Sequence, residues 1–111
     1  MTIETVRLSQ DQKTKLLKIR KKTGIKNWNV LCRWAIASSL AQVEQPADYI
    51  RGGKSAIEMD WNTFAGKEGQ TVYTALLAKL GPDLFYSHLQ RGIDLMTLAD
   101  NPLHVHSEIL Q

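Results

Sequence analysis

Seven cationic side chains fall within the fourteen residues from Lys13 to Lys26 (Lys13, Lys15, Lys18, Arg20, Lys21, Lys22 and Lys26), with no acid among them. Like charges at helical spacing repel, and surface helices ordinarily interleave opposite signs to avoid that cost. A run left uncompensated suits a polyanion, above all the phosphates of nucleic acid. The turn that follows, Thr23-Gly24-Ile25-Lys26-Asn27, leads into a helix start whose free amides can receive a phosphate. The candidate nucleic-acid-binding residues are therefore Lys13, Lys15, Lys18, Lys21, Lys22, Gly24 and Lys26. Backbone contact of this kind is blind to base sequence. Replacing Lys18 or Lys22 by Ala is expected to weaken binding to every duplex about equally.

Charge is also segregated along the chain. Residues 1–34 hold nine basic and two acidic residues, a net +7, whereas the remainder holds five basic and nine acidic, a net −4. This asymmetry is the footprint of a nucleic-acid binder, or less often of a protein that meets anionic lipid.

Other reactive groups carry less. Cys32 lies near a helix start with cations nearby, which lowers a thiol pKa, but an apolar helix more often buries a cysteine and leaves it inert. His104 and His106 form an H-x-H pair, two ligands where a metal site needs more, and His88 stands alone. The chain has no Ser-His-Asp order, no paired catalytic carboxylates and no Gly-rich nucleotide loop, and Glu58 and Asp60 read as the wet face of a strand. A protein that is not an enzyme, with no cofactor and no catalytic or metal site, is expected. Arg33 interrupts an apolar helix and reaches an interface, an acid such as Asp60, or a phosphate. Trp28 packs over the turn or stacks on a base or broken duplex end, while Trp34 belongs to the core.

The elements that must position these residues follow from patterning. At 111 residues, 43% hydrophobic and 23% charged, the chain suits one ordered domain over 1–111. No apolar run approaches the ~20 residues that span a bilayer. The start MTIETVRL lacks a signal peptide's apolar core, and the lone cysteine suits a reducing compartment, so a cytoplasmic protein is expected. Thr2–Leu8 reads as a strand with Val6 and Leu8 on one face and Thr5 and Arg7 on the other. Ser9 caps a helix over Gln10–Thr23, aided by Asp11. Leu16 and Ile19, with Leu17 beside them, form its apolar stripe, and Lys15, Lys18 and Lys22 share another face, with Lys21 alongside. Gly24 supplies a left-handed stop.

Asn27 or Asn29 caps a second helix running to about Ala41. Val30, Leu31, Trp34, Ala35, Ile36, Ala37 and Leu40 leave it little polar surface, which places it in the centre of the fold or at a subunit interface. An oligomer is therefore expected. Gln42–Gly53 is a loop. Ile57, Met59 and Trp61 alternate with Glu58, Asp60 and Asn62 as a half-exposed strand. Two helices follow, Glu68–Leu80 with Tyr73, Leu76, Leu77 and Leu80 inward, and Asp83–Ala99 with Phe85, Leu89, Ile93 and Met96 inward. Gly92 on the second stripe permits close helix approach, Gly81-Pro82 separates the two, Asn101-Pro102 stops the last, and Leu103–Gln111 is a tail. The fold class is α+β, mostly helical: strand-helix-helix, then a short strand and two helices.

Over Thr5–Leu40 this order resembles the ribbon-helix-helix module of small dimeric DNA-binding proteins. A closer resemblance is to the DndE family of the bacterial DNA phosphorothioation, or sulfur-modification, system. It is carried by RLSQDQKTKLLKIRKKTGIKNWNVLCRWAIASSL, by Ile57–Phe64 (IEMDWNTF) and by His88–Gly92 (HLQRG). The resemblance implies a single DndE-like DNA-binding domain, a non-catalytic component that works with the sulfur-incorporating proteins DndC and DndD. It further implies a homotetramer that binds nicked double-stranded DNA through surface lysines, here Lys13, Lys15, Lys18, Lys21, Lys22 and Lys26, with Lys54 and Lys67 as secondary contacts. A nick eases bending, so a rigid positive surface would prefer it. The alternative is a ribbon-helix-helix transcription repressor or antitoxin reading bases through Thr5 and Arg7. A third reading is a scaffold whose main partner is another protein.

Overall fold

Val6 and Leu8 are fully or nearly fully buried while Arg7 between them is exposed, the period of two that holds a chain extended over a core. This segment is strand β1 (Thr5–Ser9), which pairs antiparallel with β2 (Ser55–Asp60) in the computed structural model, which describes residues 3–50 and 53–102. Val6 faces Met59 and Leu8 faces Ile57, so four apolar side chains share the inner face, and an irregularity between Leu8 and Ser9 ends the ladder. Thr2, the expected start of this strand, lies outside the described residues, as do Arg51 and Gly52 of the loop and the Leu103–Gln111 tail with His104 and His106.

Ser9 closes β1 and opens α1 (Gln10–Thr23). Its hydroxyl accepts from the Gln12 amide at 3.2 Å, and the Gln12 side chain accepts from the Ser9 amide at 2.9 Å, a reciprocal box that satisfies two otherwise orphan donors. At the far end Gly24 sits at φ 77° and donates to the Arg20 carbonyl, as expected of a left-handed stop. Leu16 and Ile19 are buried, but Leu17 is 38% exposed and faces away from them.

α2 (Trp28–Leu40) and α5 (Pro82–Leu98) form the most extensive helix pair. Leu31, Cys32, Ala35 and Ile36 meet Phe85, Leu89, Ile93 and Met96 in the same core. Gly92 lies directly on the Ala35 carbonyl, so the two backbones approach where any side chain would intervene. Above this contact Arg91 clasps the end of α2: its Nε donates to Ser39 Oγ at 2.8 Å, and its Nη atoms to the Ser39 and Glu44 carbonyls at 2.8 and 2.6 Å. Ser39 Oγ, accepting from Arg91, also shares a 2.9 Å hydrogen bond with Nδ1 of buried His88. Burial, then the Arg91 charge, hold the His88 pKa below its ordinary value.

Asn27 occupies the N-cap position of α2 without a side-chain cap bond, whereas Asn29 lies inside the helix and donates to the Thr63 carbonyl. The alternation of the second strand ends at Asp60, because Trp61 begins a short helix, α3 (Trp61–Ala65), that the strand reading had absorbed. Trp61 packs on Phe64 and Phe85 at centroid distances of 5.2 and 5.4 Å. α4 (Gln70–Leu80) starts two residues later than expected, and of its proposed stripe only Leu77 is buried. Gly81, at φ 80°, turns the chain into Pro82 at the first position of α5. The observed class is α+β and mostly helical, as expected.

Candidate nucleic-acid interface

The cations of residues 13–26 fall into two sets, according to whether α5 engages them. Lys15 turns toward α5, where its ammonium donates to Asp94 at 2.7 Å and also meets Asp11 at 3.0 Å. The bond to Asp94 raises the Lys15 pKa, with partial burial opposing and Asp11 adding to the rise. Lys22 reaches the last turn of α5 and donates to the carbonyls of Thr97 and Ala99 at 2.7 and 3.0 Å, placing positive charge at the helix's negative end. Lys15 is thus drawn into carboxylates rather than displayed, and Lys22 is tethered though exposed.

Lys18, Lys21 and Lys26 form the other set. All three are exposed, and among the described residues none has a carboxylate within ion-pair distance. Lys13 is half-buried and likewise carries no ion pair among the described residues. Lys21, Lys26, Gly24, Leu17 and Arg20 line an open concavity of about 580 Å³ where the end of α1 turns toward α2. Arg20 stood outside the expected binding set. Its guanidinium carbon lies 4.9 Å from the centroid of the Trp28 ring, so Trp28 packs over the turn and holds the arginine above it. The signal was in the sequence as an Arg eight residues before a Trp across a glycine turn, but that spacing shows contact only once the turn angle is known.

Elsewhere the expected site residues resolve into structural roles. Arg33 donates through Nη1 to the Phe64 carbonyl at 3.0 Å, tying α2 to α3. Cys32 is fully buried, and burial pushes its thiol up to about 12, outweighing the opposing Arg33 charge. Trp34 is half-buried against the core rather than inside it. Among the described residues no three His, Cys, Asp or Glu side chains gather as metal ligands, and no helix is long and apolar enough to cross a membrane.

Thr5 and Arg7, the base-reading pair of the repressor alternative, lie on a strand that is paired along one edge and met at the other by a single side chain. One edge pairs with β2, and Arg7 sits opposite Glu58 with a 3.6 Å ion pair. At the other edge the Tyr86 hydroxyl accepts from the Arg7 amide at 3.1 Å and donates to the Thr5 carbonyl at 3.4 Å. A ribbon-helix-helix dimer would need that second edge for the partner's strand.

Comparison with known proteins gives one positive finding. The sequence model of a family described as DNA sulphur modification protein DndE matches residues 5–101. No curated protein and no solved structure matches the chain.

Proposed function

The chain belongs to the DndE family, whose role is in DNA sulphur modification, and from that premise we propose that it is the non-catalytic DNA-binding component of the modification machinery. It binds the sugar–phosphate backbone of nicked duplex DNA through Lys18, Lys21 and Lys26, with Lys13 at the margin and Lys22 joining when it leaves the end of α5. An oligomer, a homotetramer on the family resemblance, aligns several such faces and multiplies weak phosphate contacts into avidity. DndC and DndD are its protein partners, and the cytoplasm is its compartment.

The observation that carries this reading is the exposure of Lys18, Lys21 and Lys26 with no neutralising carboxylate among the described residues, in a molecule that does neutralise Lys15. Three cations engaged per chain correspond to an affinity loss of roughly 40-fold between about 50 and 200 mM salt. The test is fluorescence anisotropy on nicked and intact duplexes of one sequence, in wild type and in a Lys18→Ala/Lys21→Ala/Lys26→Ala triple variant. Tighter binding to the nicked duplex, lost with a shallower salt slope in the variant, supports the proposal. Equal affinity for the two duplexes defeats the nick preference, and an unchanged salt slope defeats the lysine face. The repressor or antitoxin alternative requires the β1 edge that Tyr86 occupies.

A further inference from the structure

Lys21 and Lys26, two of the three displayed lysines, also line a recess, and a recess suits a different anion from an open face. Internal phosphates of a duplex are diesters carrying one charge each and spaced along a smooth curve, and they lie well on an open face. The concavity at the end of α1 gathers Arg20, Lys21 and Lys26 around a single recess, with Leu17 as its apolar wall. No acid lines it. Its floor passes Gly24, where even a built Cβ would meet nothing within 4 Å, so a ligand atom can come up to the backbone. Three convergent cations match a group with more than one charge, and a phosphomonoester carries close to two negative charges at neutral pH.

Arg20 gives the recess directionality. Its guanidinium carbon sits 4.9 Å over the Trp28 ring, and among the described residues none of its N–H groups has a protein acceptor. An arginine with a free edge presents two parallel donors, the geometry that two phosphate oxygens accept. The exposed Leu17 offers the adjoining sugar or terminal base an apolar surface.

We propose that this recess binds the phosphomonoester that ends a DNA strand, as at a 5′-phosphorylated nick, with Arg20 as the bidentate contact and Lys21 and Lys26 as its charge partners. The inference rests on the duplex-binding reading above and adds a chemical cause for choosing a nick besides its flexibility. Nicks ending in 5′-phosphate and in 5′-hydroxyl are both interrupted strands, so comparing them isolates the phosphate.

The experiment measures affinity of the full chain for three duplexes of one sequence: intact, nicked with 5′-phosphate, and nicked with 5′-hydroxyl. Wild type is expected to favour the phosphorylated nick over the hydroxyl nick by about tenfold, the scale of one charge-assisted bidentate contact. Arg20→Lys keeps the charge but loses the fork, so it should reduce that ratio to near one while leaving intact-duplex affinity within about twofold. Equal wild-type affinity for the two nicks overturns the inference while leaving the duplex-binding reading standing. Retention of the full ratio in Arg20→Lys also overturns it, as does failure to bind any duplex, which sinks both. Deoxythymidine 5′-monophosphate serves as a free probe: micromolar binding of it without DNA would assign the recess to nucleotides instead.

Discussion

Replacing Gly92 by Ala sets two effects of opposite sign against each other. Alanine is the better helix former, and in an exposed helix interior the change would stabilise by about 1 kcal/mol. In this fold the added methyl would overlap the Ala35 carbonyl oxygen and carbon and lie 2.8 Å from the Ala35 Cα. Ordinary contact begins at 3.4 Å, so α2 and α5 would have to part by at least the 0.6 Å difference at Cα, and further at the oxygen. The obstacles are helical backbone, which cannot rotate aside as a side chain can. Overpacking a close-packed contact costs ~1–3 kcal/mol, and rigid neighbours put this site at the upper end. Set against the propensity gain, the net is a destabilisation of about 2 kcal/mol, or a Tm lower by roughly 10 °C for a domain of this size. Thermal and urea unfolding followed by circular dichroism would read it directly. A variant as stable as wild type, or more so, would refute the reasoning, because propensity would then have outweighed packing where the α2 and α5 backbones meet.

Three further outcomes are expected. Lys15→Met should cost no more than about 1 kcal/mol, because its pairs with Asp94 and Asp11 are partly exposed. It should leave the salt slope of DNA binding unchanged, whereas Lys21→Ala should leave stability unchanged and lower the slope by about one. The Lys15 pKa is raised, so its contribution is fully present below the unfolded value near 10.5 and fades only as pH climbs through the higher folded value. Neutral-pH melts of wild type should therefore show no Lys15 titration. Cys32, buried with its thiol pushed up to about 12, should resist iodoacetamide at pH 8 until the protein is unfolded by denaturant. Modification of the native protein at the rate of a free thiol would contradict that burial. The His88 pKa is depressed, so the stability owed to its neutral form is present above the unfolded value of 6.5 and is lost as pH falls toward the folded value. His88→Gln should flatten the fall of Tm below pH 6.5, and an undiminished fall in that variant would place the acid sensitivity elsewhere.

Local signals told the truth where the determinant was local. Ser9 and Gln12 sit three residues apart, Gly24 follows an amphipathic run, and Gly81-Pro82 both ends one helix and starts the next. Each could be read because the atoms that decide the structure are neighbours in sequence. Alternation carried on into Trp61 and Asn62 although the chain had already turned into α3, because a one-turn helix leaves no full period to detect. The division of the cationic cluster was beyond local reading for a plainer reason. Lys15 meets Asp94 at a separation of 79 residues, and Lys22 meets Thr97 at 75. Charge counting over residues 13–26 sees seven like charges, and only the docking of α5 shows which remain displayed. Arg20 was passed over on similar grounds, since its partner Trp28 lies across a turn whose angle no spacing rule supplies.

Tyr86 has a consequence beyond its two hydrogen bonds to β1. An uncovered strand border invites any neighbouring chain to zip onto it, and the hazard grows when many copies gather along one polymer. The Tyr86 phenol takes up one donor and one acceptor on that border, so copies of the fold lying side by side have less free backbone there through which to extend a sheet.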